Sequence, residues 1–177
     1  MTDIKKTTYL SNQIISDTLH LEANALNSPN ITELIIKMLK IKNENICNEI
    51  GFVVKGSLKL ISKQLGELIN NGYKNQIVYN VKYSSMILKP TDGDIIECYI
   101  ENINKMGILA YIKLNEVLDD YEGENNMSDS PLIIIIPLNL IDNIEQYNVK
   151  QKIKINVNAT RNKYKSDKIQ VIGEIVQ

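Results

Sequence analysis

The chain is short of the residues on which most enzyme chemistry rests. It holds one histidine, one arginine, two cysteines, one phenylalanine and no tryptophan in 177 residues. A single His20 excludes a multi-histidine metal site and argues against histidine acid–base catalysis. Cys47 and Cys98 are far apart with no CxxC spacing, which argues against zinc or a disulfide framework and fits a reducing compartment. No apolar run approaches the roughly 20 residues of a membrane-spanning helix, so no membrane association is expected. The start, Met1 to Lys6, has no apolar stretch behind it, and no signal peptide is expected. Neither G-x-x-x-x-G-K nor G-x-G-x-x-G occurs. Adjacent carboxylates occur in Asp119-Asp120-Tyr121-Glu122, a solvated stretch without the rigid placement that catalysis demands. The expectation is a protein that is not an enzyme and uses no cofactor or metal.

Some residues are abundant instead. There are 30 Ile, 22 Asn and 19 Lys, and Lys supplies all the basic residues except Arg161. Lysine and arginine are chemically distinct, and no folding requirement suppresses arginine so strongly. Codon bias in an AT-rich genome explains it, so not every Lys or Asn was selected for function. The hydrophobic fraction of 44% supports a core, and the length suits one large domain or two small ones. The net charge of −1 conceals two blocks. Residues 92–129 carry net −8 and residues 150–168 carry net +6. Each is either a solvated face or a surface for a charged partner.

Periodicity organises the chain. Residues 8–21 read as an extended segment, with His20 at a structural or exposed strand position between Leu19 and Leu21. Asn30 then caps a helix, with Glu33 at the capping-box position and Ile31, Leu34, Ile35, Met38 and Leu39 on one face. That helix ends near Asn43. Gly51–Val54 and Leu58–Ile61 are short strands, and Gly66, Asn70-Asn71-Gly72 and Lys74-Asn75 punctuate a loop or hairpin tip. Ile77, Tyr79, Val81 and Tyr83 alternate along a strand. Pro90-Thr91-Asp92-Gly93 is a turn, taken as the boundary between domains 1–89 and 90–177. Beyond it, Ile96, Cys98 and Ile100 face one way along residues 94–104, with Cys98 in the core. Lys105-Met106-Gly107 reverses the chain into 108–114. Leu132–Ile136 reads as a fully buried strand. Ile153, Ile155, Val157 and Ala159 alternate inward, residues 162–167 turn, and 169–176 close the fold. The outline is a small α+β unit followed by a five-stranded barrel with a helix-prone link after its third strand.

Four stretches together carry a resemblance. They are Tyr79-Asn80-Val81-Lys82-Tyr83, Met86-Ile87-Leu88-Lys89-Pro90, Gly93-Asp94-Ile95-Ile96-Glu97-Cys98 and Asn104-Lys105-Met106-Gly107-Ile108. In order and spacing they resemble the seventh-subunit family of eukaryotic and archaeal multisubunit RNA polymerases, the stalk subunits. The likeness is specific over 79–108 and weaker at the N-terminus and over 115–147. It implies an α+β N-terminal RNP-like tip domain followed by an all-β five-stranded OB barrel, of the type first named for ribosomal protein S-one. It implies no catalysis. The implied partners are RNA polymerase core subunits, a second stalk subunit where one exists, and nascent RNA. The composition suggests a large cytoplasmic DNA virus, and hence a viral factory or virion; a cellular member would be nuclear.

Two sets of site residues follow. The tip loop, with Leu65, Gly66, Leu68, Ile69 and Gly72, resembles the family's core-docking loop. The alternative is an ordinary hairpin tip. For RNA, Tyr99 and Tyr111 are the aromatics of the relevant barrel strands, and each is also read as a packed sheet tyrosine. Lys152, Lys154, Arg161, Lys163 and Lys165, in the basic hairpin, are the electrostatic candidates, against a reading as solvated strand lysines that protect an edge. The competing function is a free-standing OB-fold RNA-binding protein such as a translation factor.

Overall fold

The computed structural model describes residues 8–70, 72, 75–118 and 126–176. They form two compact units. Ser11–Asn45 with Val53–Ile87 make one, and the rest of the described chain makes the other. Among the described residues no helix is long and apolar enough to cross a membrane.

The first unit is mostly β. Its elements are β1 (Leu10–Glu22), α1 (Ile31–Asn43), β2 (Phe52–Val53), β3 (Lys59–Lys63), β4 (Glu67–Asn70) and β5 (Asn75–Leu88). The long strand β5 organises the sheet, pairing with β1, β2, β3 and β4. Its alternation buries Ile77, Tyr79, Val81 and Tyr83 on one face, against Leu19 and Leu21 of β1 and Ile35 and Leu39 of α1. Each such side chain contributes about 1.5–3 kcal/mol by leaving water. The helix starts where expected: the Asn30 side chain accepts a hydrogen bond from the Glu33 N–H at 3.2 Å. Its far end is tied to β1. The Lys42 ammonium donates to both Asp17 oxygens at 2.9 Å and to the Thr18 carbonyl at 3.0 Å. Asn43 donates to Asp17 at 3.2 Å. Burial pushes the Asp17 carboxyl up, but the hydrogen bonds from Lys42, Asn43 and the Thr18 N–H outweigh it and hold it below its ordinary value. The segment read as a loop tip is more regular than expected, because β4 pairs in register with residues 75–78 of β5.

The second unit contains the expected barrel. Its strands are β6 (Ile95–Asn104), β7 (Gly107–Tyr111), β8 (Leu132–Pro137), β9 (Lys152–Arg161) and β10 (Ile169–Ile175). They close in the order β10-β8-β7-β6-β9, with β10 and β8 parallel and the other pairs antiparallel. Ile96, Cys98, Ile100, Ile134, Ile155 and Val171 fill the interior. Gly107 is required: its φ is +135°, and a Cβ there would sit 2.0 Å from the Ile136 carbonyl oxygen.

Three expectations are corrected. Leu132, Ile134 and Ile136 are fully buried, but Ile135 is 39% exposed. A strand in a closed barrel has one inward face, whatever its composition. Ala159 is exposed instead of inward. Gly173 pairs with Val157 but Ile172 pairs with Ala159, so Asn158 is an extra residue that reverses the alternation. The link after β8 holds two single 3-10 turns, Leu138–Leu140 and Ile144–Gln146, where a helix was expected.

Candidate functional site

The tip of the first unit carries an exposed apolar set. Leu65 is 92% exposed and Leu68 67% exposed, with Ile69 also in solvent. Leu68 and Ile69 are consecutive on β4, so they project from opposite faces of the β4–β5 ribbon. Gly66 has a local reason to be glycine. A Cβ there would lie 2.6 Å from Ile77 Cγ2 and 2.7 Å from Tyr79 Cζ, so the chain passes tightly over its own sheet. Gly72 adopts φ +79° in open space, and its N–H donates to Asn70 Oδ1 at 2.9 Å. This is an Asx turn at the ribbon's end. The two glycines therefore shape the ribbon, and the leucines and Ile69 are its free apolar surface.

In the barrel unit the seven residues expected at RNA fall into two separate groups. Tyr99 and Tyr111 are register partners on β6 and β7, with ring centroids 6.2 Å apart. Tyr111 is buried, which raises its hydroxyl's pKa with help from Glu101. It is a packed sheet tyrosine. The Tyr99 ring is half-exposed, but Lys113 Nζ sits 3.8 Å from its centroid, a cation–π contact. Its hydroxyl donates to Glu116. The same Glu116 pairs with Lys152 at 2.9 Å. Lys152 also pairs with Glu97 at 2.9 Å, and Glu97 reaches Lys154 at 3.5 Å. Burial pushes the Glu116 carboxyl up, yet the hydrogen bonds of Tyr99 and Lys152 leave it below its ordinary value. The hydrogen bonds of Glu116 and Glu97 raise the Lys152 ammonium. Tyr99, Lys152 and Lys154 are thus occupied by their own neighbours. A cleft of approximately 620 Å³ opens beside them, lined by the carboxylates of Asp94, Glu97 and Glu116 and the ammoniums of Lys113 and Lys154.

The remaining basic candidates lie elsewhere on the unit. Arg161 ends β9, and Lys163 and Lys165 lie in the β9–β10 turn, all exposed. Among the described residues no carboxylate comes within ion-pair distance of them. Lys165 has φ +62° and lies 5.6 Å from the Tyr164 ring centroid. Arg161 and Lys163 line a cleft of approximately 240 Å³ together with Ser166, Lys168 and Gln170. The Lys168 ammonium is held at the Met127 carbonyl.

Sequence reasoning did not pick out Lys113, Glu97 and Glu116, which satisfy the tyrosine and the strand lysines. Their opposite charges become a signal only once β6 and β9 are aligned, with Glu97 opposite Lys154 and Tyr99 opposite Lys152. Lys168 and Gln170 were missed as cleft residues, although Lys168 belongs to the counted basic block. The carboxylate stretch Asp119-Asp120-Tyr121-Glu122 lies outside the described residues. Among the described residues, no group of three or more His, Cys, Asp or Glu is placed to hold a metal ion.

No known protein-family profile matches the chain. It is similar to a protein of Acanthamoeba polyphaga mimivirus provisionally named a DNA-directed RNA polymerase subunit. The two are 25% identical over 142 residues, 80% of this chain and 62% of that protein. This chain therefore spans less than two thirds of its relative's length.

Proposed function

We propose that this chain is a non-catalytic stalk subunit of a DNA-directed RNA polymerase, built as an RNP-like tip and an OB barrel. The observation that carries the reading is the match to the mimivirus protein. Its 142 residues exceed the length of either unit alone, so the likeness takes in parts of both. The exposed Leu65, Leu68 and Ile69 supply the means of attachment. An apolar ribbon that its own chain leaves in water gains its stabilisation by burial against a partner. In this reading the tip docks on polymerase core subunits. The open part of the first unit's sheet receives a second stalk subunit where one exists, and the barrel contacts nascent RNA. The site of action is the cytoplasm of a virus-infected cell, in the viral factory or virion.

The test is recovery of the tagged chain from its native cells or virions, beside a Leu68→Asp, Ile69→Asp variant. The expected result is large polymerase subunits with the parent and none with the variant. The basic turn favours a second reading, a free-standing OB-type RNA-binding protein, because its cleft has no lining carboxylate. Recovery of ribosomes or bulk RNA without polymerase would establish that reading instead.

A further inference from the structure

Register sets Leu109, Ile135, Ile172 and Ala159 side by side across the barrel's outer wall, on β7, β8, β10 and β9. None of the four is buried, and Ile135 and Ile172 are 39% and 42% exposed. About 7 Å along the strands, a step of two residues, the wall changes character in each direction. One way, Gln170 and Arg161 are partners, and both line the basic cleft with Lys163 and Lys168. The other way, Pro137 opposes Gly107 on β8 and β7. Leu138 and Met106 follow, both exposed, with the Leu138 N–H donating to the Met106 carbonyl at 3.1 Å. On β10 that end carries Glu174, which accepts from the Asn156 amide at 3.3 Å. The wall is thus cationic at one end, aliphatic through its middle, and aliphatic with a carboxylate at the other end.

These surfaces ask for different things of a ligand. Arg161 offers a planar fork of donors that fits a carboxylate in two hydrogen bonds, and Lys163 adds an ammonium. Asp167, the acid of the turn, does not line the cleft. A polyanion whose charge repeats at every unit would use these cations and gain nothing from the row. The row is stabilised by leaving water, at about 25 cal/mol per Å² of apolar surface covered. The ligand that uses the whole wall therefore has an anionic end and an aliphatic body. We propose that the wall docks a segment of a partner protein with that chemistry. Its acidic side chains enter the Arg161–Lys163 cleft, and its leucine-like side chains lie over Ile135, Ile172 and Leu109 toward Leu138. Glu174 repels acids at the far end and so fixes the direction of the segment. RNA needs only the turn's charge, so a docked segment covers the cations that RNA would use and competes with it. The inference goes beyond the stalk reading and is tested apart from it.

Fluorescence anisotropy of the full chain provides the test, with a labelled peptide of four glutamates followed by Leu-Ile-Gln-Leu-Ile as the probe. Polyglutamate of equal length and the same peptide with lysines for glutamates are the controls. The probe is expected to bind at least about tenfold more tightly than either, since both ends of the wall contribute. Arg161→Gln with Lys163→Gln should cost about tenfold, the loss of charge-assisted hydrogen bonds at an exposed site. Ile135→Thr with Ile172→Thr, exposed changes that keep strand propensity, should cost several-fold on the probe and leave polyglutamate unchanged. Unlabelled oligouridylate should displace the probe, and its own affinity should not respond to the threonine variant. Equal binding of polyglutamate and probe would overturn the proposal by reducing the site to charge. Oligouridylate losing as much as the probe on the threonine variant would overturn it in favour of a nucleic-acid wall. No binding of the probe at low salt would overturn it as well. So would a dimer in sedimentation velocity that the threonine variant dissociates, because a second copy would then be the occupant. Co-purification with polymerase is read separately, so failure here leaves the subunit reading standing.

Discussion

Asp17 is the residue whose chemistry most directly links sequence to stability. It faces the helix side of the first sheet, where an unpaired carboxylate would be costly, and four donated hydrogen bonds surround it. Its folded pKa is lowered, so its stabilisation is present above the unfolded value near 3.9 and is lost as pH falls through the folded value. Asp17→Asn should cost about 1 kcal/mol at neutral pH, since Lys42 is half-exposed and the ion pair is screened. Urea unfolding at pH 7 and again below about pH 3 should show the difference shrink with acid; an unchanged difference would assign it to packing. Both cysteines form a second residue-scale case. Burial raises the Cys98 thiol to about 12, and burial with Asp167 raises Cys47 to about 11. Neither should react with a thiol reagent in the native protein at pH 8, and both should react once it is unfolded.

At the scale of elements, the tip ribbon separates shape from function. Gly66→Ala forces a methyl against two buried side chains and should cost about 1–3 kcal/mol. Gly72→Ala meets open space but a positive φ, and should cost about 1 kcal/mol. Leu68→Asp with Ile69→Asp touches neither device. Its melting temperature should match the parent within a few degrees while polymerase recovery is lost; a fall comparable to that of Gly66→Ala would mean that the residues serve the fold. Much of this architecture was legible. Asn30 capped the helix as its side chain predicted, and the alternation at 77–83 and 96–100 gave the buried faces. Illegible features depended on pairing. The five-residue apolar run at 132–136 cannot say that one of its faces points out. The outward turn of Ala159 follows from the bulge at Asn158, which composition does not mark. Tyr99 looked available because Lys113 and Glu116 reach it from another stretch of chain. The tip leucines were visible as candidates, but their exposure required the sheet.

For the whole molecule, charge is redistributed by folding. The acidic and basic blocks of the sequence partly cancel where β6 meets β9, through Glu97, Glu116, Lys152 and Lys154. The β9–β10 turn carries positive charge that no carboxylate among the described residues pairs with, and the tip carries strongly exposed leucines. One suits an anionic polymer and the other a protein. An accessory polymerase subunit, the function proposed above, would use both, and the most direct test works from the enzyme's side. Native polymerase would be purified through its largest subunit, and this chain quantified by mass spectrometry against that subunit. The expected result is about one copy per enzyme, retained through a high-salt wash because the tip contact is apolar. A polymerase active in transcription that lacks the chain, or holds only a trace removed by salt, would contradict it.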